Sequence, residues 1–189
     1  MKELKQRILT DGRNLGGGIL KVDGFINHQV DPGLMKLCGQ EFARRLADTR
    51  PDKILTAEIS GIAPALMTGL EMGLTVVYAR KSKPVTMTAD IYLTVSPSHT
   101  KGNLIELMVS PEFLAAGERI LIIDDFLASG LTIMALARLV KAAGATLVGI
   151  GTLVEKQFEA GRELLSILDV PVEALAIVTN MSDGKLELA

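Results

Sequence analysis

The sequence predicts an α/β protein with a parallel-dominated, twisted sheet flanked by helices. Apolar runs of strand length alternate with helical patterns along most of the chain, as βαβ units do. Ile120-Leu121-Ile122-Ile123 is an unbroken run of β-favouring residues, which suits a central strand buried on both faces. That run stops at Asp124-Asp125. A buried strand has no place for two carboxylates, so the pair is expected where the strand emerges, at its carboxyl end. Open α/β sheets bind ligands along that edge.

The elements follow in order. Residues 3–9 read as a charged amphipathic helix. Residues 11–18 form a turn-rich loop containing Gly16-Gly17-Gly18. No Lys-Ser/Thr follows these glycines where a phosphate loop requires it, so they are expected to give a tight path into Ile19–Val22. Asp31-Pro32 opens a helix running to about Ala47. Lys53 to Ile59 is a strand, Ala63 to Met72 a helix ending near Gly73, and Thr75 to Ala79 a strand. Lys81 to Thr100 lacks one period and is rich in Ser, Thr and Pro, with Ile91 to Val95 as an edge strand. Leu104 to Val109 and Arg119 to Ile123 are strands, Leu131 to Ala143 a helix, and Leu147 to Val154 a strand. Arg162 to Leu168 is a helix and Val172 to Val178 a late strand.

The totals narrow the function classes. A chain of 189 residues is long enough for one domain with a full core. Its net charge of −2 gives no electrostatic reason to expect nucleic-acid or membrane binding. The single cysteine, Cys38, excludes an internal disulfide framework and a cysteine metal cluster, and two histidines are too few for a His-rich metal site. Met1 to Arg7 is charged throughout, unlike a signal peptide, and the expected location is the cytoplasm. Ser60 to Ala79 is apolar but is broken by Pro64, Glu71 and three glycines, and reads as a buried βαβ segment.

Four stretches carry candidate chemistry. After the acidic pair, Ala128-Ser129-Gly130-Leu131-Thr132 leads into a helix. Gly130 lets the backbone turn close to a ligand, Ser129 and Thr132 offer hydroxyls, and free N–H groups at a helix start make an anion site. Ser60-Gly61-Ile62-Ala63-Pro64 is a second strand–helix turn, with Ser60 placed to cap the helix and Pro64 fitting its first turn. Arg80 and Lys81 open the long Ser/Thr-rich segment, and long loops of this kind often close over sites. Finally, Lys156 and Phe158 follow a strand end. A cation donating to a carbonyl beside a stacking aromatic suits an oxygenated nucleobase, though a surface lysine next to a core-capping aromatic fits the sequence as well.

The apolar strand, the acidic pair and the small-residue loop resemble the phosphoribosyl pyrophosphate (PRPP) motif of type I phosphoribosyltransferases. The loop departs from the commonest form, with Ser129 for a frequent Thr and Leu131 for a frequent Gly, but the N–H at position 131 remains available. Across most of its length the chain resembles the bacterial enzymes of that family that use xanthine. The stretches that carry this are residues 20–32, Ser60 to Ala65, Ala79-Arg80-Lys81, Ile120 to Ala128, Gly149 to Gly151, and Glu155-Lys156 with Phe158, Gly161 and Arg162.

The resemblance implies the type I phosphoribosyltransferase fold over residues 1–189, with a core at about 36–154 and a small hood from about 1–35 and 155–189. It implies transfer of a phosphoribosyl group from PRPP to xanthine, with Mg²⁺ held mainly by substrate and water, in a homodimer. Asp124 and Asp125 would hold the ribose hydroxyls, residues 128–132 the 5′-phosphate, and Ser60, Gly61, Arg80 and Lys81 the pyrophosphate. Leu20, Asn27, Lys156 and Phe158 would hold the base. No residue stands out as a general base. Hypoxanthine-guanine transfer and a non-catalytic PRPP-sensing regulator stay open. Lys156 disfavours adenine, whose amino group would meet a cation.

Overall fold

The computed structural model describes residues 1–97 and 104–189. The elements are α1 (Lys2–Asp11), β1 (Arg13–Asn14), β2 (Leu20–Lys21), α2 (Pro32–Arg45), β3 (Lys53–Ala57), α3 (Ile62–Met72), β4 (Thr75–Ala79), β5 (Tyr92–Pro97), β6 (Leu104–Val109), β7 (Arg119–Leu127), α4 (Leu131–Ala142), β8 (Thr146–Lys156), α5 (Gly161–Leu165), β9 (Val172–Asn180) and β10 (Glu187–Leu188). A π-helical turn spans Asp23–Asn27, and short 3₁₀ turns span Ala47–Thr49, Ser166–Leu168 and Ser182–Gly184.

Six strands form the main sheet in the order β10-β9-β8-β7-β3-β4. All neighbours run parallel except β10, which is antiparallel to β9. The strand order reverses between β3 and β7: from β3 the chain moves outward to β4, and from β7 it moves the other way through β8 to β9. That reversal leaves a crevice beyond the carboxyl ends of β3 and β7, the usual ligand position in such sheets.

The central strands are buried on both faces, and this is why they read as continuous apolar runs. Leu121 and Ile123 of β7 join Ile54, Phe42 and Met35 in a core on the side of α1, α2 and α3. Ile120 and Ile122 join Leu55, Ile133, Leu136 and Leu139 in a second core under α4. The start of α2 follows its local chemistry: the Asp31 carboxylate accepts from the Leu34 N–H at 3.1 Å, and Pro32 sits in the first turn. Among the described residues, no helix is long and apolar enough to cross a membrane.

Several sequence expectations need correction. The strand expected to end at Ile123 continues to Leu127, because β8 itself runs on to Lys156 and keeps pairing with it, Asp124 beside Thr152 and Leu127 beside Glu155. The acidic pair therefore lies within a strand, and the Asp124 carboxyl group is buried. The strand expected to reach Ile59 stops at Ala57, and the chain turns out at Glu58. Leu104–Val109 pairs with Tyr92–Pro97 as a separate antiparallel hairpin instead of joining the main sheet. A single bridge, Arg80 to Met108, connects that hairpin to the sheet's edge. Residues 98–100 of the expected Ser/Thr-rich loop lie outside the described residues.

Candidate active site

A cavity of about 710 Å³ opens at the carboxyl edge of the sheet, over the point where the strand order reverses. Its floor is the end of β7, its rims are the loops after β3 and β7, and its far wall is the end of β8. Asp124, Asp125, Ser60, Gly61, Lys81, Lys156, Leu20, Asn27 and all five residues 128–132 line it. Sequence segments separated by more than a hundred residues thus meet in one space.

The two carboxylates are placed differently. Asp124 is 5% exposed and Asp125 is half-buried. The Asp125 N–H donates to Asp124 Oδ1 at 3.0 Å, and the Phe126 N–H donates to Asp125 Oδ1 at 2.9 Å. Burial pushes the Asp124 carboxyl well above the usual carboxylate range, and the neighbouring charge of Asp125 adds to this. Lys81 pulls weakly in the other direction. Hydrogen bonds from a ligand's hydroxyls would favour the ionised form of such a group.

The loop after β7 is shaped by two glycines. Gly130 has φ of 78° and precedes the first turn of α4, a conformation that excludes most other residues. The loop rests on Gly161, which begins α5. A Cβ at position 161 would overlap the Ala128 carbonyl oxygen and lie 3.0 Å from the Gly130 nitrogen. Residues 128–132, with the Ser129 and Thr132 hydroxyls, therefore line the cavity at the start of α4, where unpaired N–H groups can receive an anion.

The loop after β3 makes the opposite rim. The peptide between Glu58 and Ile59 is cis. Gly61, rather than Ser60, is the N-cap of α3, and no side chain caps that helix. A Cβ at Gly61 would lie 2.6 Å from Asp124 Oδ1, so this glycine packs directly on the buried carboxylate. Glu58 ties the rim to the end of β4: its carboxylate accepts from the Lys81 N–H at 2.6 Å and pairs with the Arg80 guanidinium at 2.8 Å. Lys81 lines the cavity. Arg80 is not among the residues that line it. Its guanidinium lies 5.8 Å from the centre of the Tyr78 ring and borders a separate cavity of about 510 Å³.

At the far wall, Lys156 is largely buried, its Nζ 5.6 Å from the centre of the Phe126 ring and 3.4 Å from Glu159. Phe126 lines the cavity, and Phe158 does not. Phe158 is half-exposed, and its ring edge would be 3.7 Å from a Cβ at Gly18.

Sequence reasoning missed Phe126, although an aromatic directly after the acidic pair was a readable signal. It also missed Gly17 and Gly18 as cavity residues, and Ser96, Ile105 and Leu107, which the β5–β6 hairpin contributes. The hairpin residues carry no local signal, since only the long-range packing of β5 on α4 brings them to the site.

The phosphoribosyl transferase domain family matches residues 32–183 of this chain. The chain belongs to the phosphoribosyltransferase family. It is 50% identical over 184 residues to a xanthine phosphoribosyltransferase of Deinococcus deserti, a match covering 97% of this chain and 95% of that protein. It is 46% identical over 189 residues to a xanthine phosphoribosyltransferase of Levilactobacillus brevis, covering 100% of this chain and 99% of that one. Among solved structures, an adenine phosphoribosyltransferase from Thermoanaerobacter pseudethanolicus superposes with a TM-score of 0.76 at 25% identity, covering 93% of this chain and 98% of that chain. The family's fold is thus the one observed here, a mostly parallel sheet flanked by helices.

Proposed function

We propose that the protein transfers the 5-phosphoribosyl group of PRPP to xanthine, releasing pyrophosphate and xanthosine 5′-monophosphate in purine salvage. The observation that carries this reading is the single cavity. It unites an anion cradle, an acidic pair, a second strand–helix turn with Lys81, and a buried lysine beside an aromatic ring. The xanthine-using relatives at 46–50% identity over the whole chain support the choice of base.

The placement of these residues around one cavity supports the following roles. The 5′-phosphate sits in the 128–132 cradle, which fixes the sugar. Asp124 and Asp125 receive the ribose hydroxyls. Ser60, Gly61 and Lys81 take up the charge that grows on pyrophosphate as the C1′–O bond breaks. Lys156 donates to a ring carbonyl of the base, with Phe126 as the adjacent ring wall, and Leu20 and Asn27 close the space from the N-terminal side. Phe158 and Arg80 complete the set as outer residues, beside Gly18 and Glu58. Holding both reactants in line supplies part of the acceleration in such a displacement, beside the charge stabilisation at pyrophosphate. The ionisation of xanthine itself meets the need for a base. Segments 1–35 and 155–189 act as the hood over a core at 36–154.

Among the described residues, no cluster of three or more His, Cys, Asp or Glu side chains is assembled to hold a metal alone. Two adjacent carboxylates at a roomy cavity fit Mg²⁺, which keeps water and substrate oxygens as most of its ligands. Asp124 and Asp125 would face it, and when bound it neutralises charge on the leaving group. The protein works as a homodimer in the cytoplasm. Product analysis tests the reading: PRPP, Mg²⁺ and xanthine should yield xanthosine 5′-monophosphate and pyrophosphate in equal amounts. Absence of both products contradicts it.

A further inference from the structure

We propose that the Glu155–Arg162 ion pair is a positioning device that sets the phosphate cradle and the base-facing lysine together. This rests on the reading of the cavity as the PRPP and purine site. Arg162 is not among the residues that line the cavity, so any effect on substrate must pass through other groups.

The geometry names those groups. Glu155 is the penultimate residue of β8, and its carboxylate side chain is only 3% exposed. Arg162 grips it with both arms, Nε to Oε1 at 2.7 Å and the second nitrogen to Oε2. A third arm donates to the Val172 carbonyl, at the start of β9, at 3.0 Å. On one side of Arg162 in sequence is Gly161, the residue on which the 128–130 backbone rests. On one side of Glu155 is Lys156, the lysine at the cavity wall. Glu155 also lies beside Leu127 in the sheet, at the root of the cradle. One bidentate pair thus holds the short loop 157–160 closed and fixes two otherwise separate substrate contacts.

Stability alone does not require this arrangement. Glu155 is buried and the Arg162 side chain is 46% exposed, and an ion pair of this kind contributes little more to folding than a well-packed apolar pair of the same volume. What a planar fork supplies is a fixed relative orientation. With the pair removed, Gly161 can move away from Ala128 and Gly130, and the cradle loses its floor.

The test uses the full chain with Arg162→Lys, Arg162→Met and the double variant Glu155→Met/Arg162→Met. The double variant keeps the packing and leaves no charge buried alone. PRPP binding is measured by calorimetry with Mg²⁺ and no base, KM for PRPP and xanthine by pyrophosphate release, and Tm by thermal unfolding. The expected result is PRPP binding weaker by about tenfold in both methionine variants, a rise in KM for xanthine, and partial recovery in Arg162→Lys. Should Arg162→Met fail to fold, the double variant decides by its PRPP affinity. Wild-type PRPP affinity in the folded double variant, with only Tm changed, overturns the proposal. Failure of the unmodified protein to bind PRPP instead overturns the reading of the cavity.

Discussion

Asp124 is the residue at which folding and function conflict most directly. It lies within a strand, nearly inaccessible, and burial raises its carboxyl above the ordinary range. The folded state therefore holds a proton that the unfolded chain has released. Stability falls as pH rises from the unfolded carboxylate value, about 3.9, through the higher folded value. Asp124→Asn removes that cost. Thermal unfolding should show the variant more stable than the unmodified protein at pH 8, with the difference shrinking toward pH 4. Its kcat/KM should drop by about a hundredfold or more. A variant less stable at pH 8 would show that the charge is satisfied by the protein itself. Gly61 makes a second test at this scale. Its missing side chain is what lets the loop after β3 approach Asp124 Oδ1. Gly61→Ala should impair turnover with PRPP strongly and leave the secondary structure, read by circular dichroism, unchanged.

At the scale of elements, the β5–β6 hairpin reaches the site from outside the main sheet. Among the described residues it pairs with itself and, through the Arg80–Met108 bridge, with the end of β4. Arg138 of α4 holds it from outside, with Nε donating to Thr94 Oγ1 at 3.1 Å and another arm to the Val95 carbonyl at 2.9 Å. Arg138→Ala should raise hydrogen exchange in residues 92–97 and 104–109 and hardly change exchange in β7 or β8. Equal protection in both proteins would mean that packing on α4 suffices. The hairpin also shows where sequence reasoning stops. A continuous apolar run such as Ile120–Ile123 identifies a strand because burial on both faces leaves no alternative. The alternating pattern of residues 92–97 identifies a strand but not its partner, since pairing is decided by contacts far along the chain. The extension of β7 past Asp124 was hidden for a related reason. A carboxylate inside a strand contradicts local polarity rules and is held there by β8 and by the Asp125 N–H.

For the whole molecule, the reversal of strand order between β3 and β7 brings the four motif-bearing stretches to one edge. Most of the cavity lining was legible because the two strand–helix turns and the acidic pair are contiguous motifs on strands of the main sheet. The aromatic wall was assigned to the wrong ring: Phe126, next to the acidic pair, lines the cavity, and Phe158 does not. N- and C-terminal segments meet over the same end, where Asn14 donates to the Met181 carbonyl at 2.7 Å and to the Lys185 carbonyl at 2.6 Å. The central claim, a cavity tuned to an oxygenated purine, is tested most directly by kcat/KM for xanthine, guanine, hypoxanthine and adenine with PRPP and Mg²⁺, in the unmodified protein and in Lys156→Met. The account predicts xanthine ahead, adenine inactive, and a loss of xanthine turnover of about a hundredfold in the variant. Adenine turned over as well as xanthine, or a Lys156→Met variant with undiminished xanthine turnover, would contradict it.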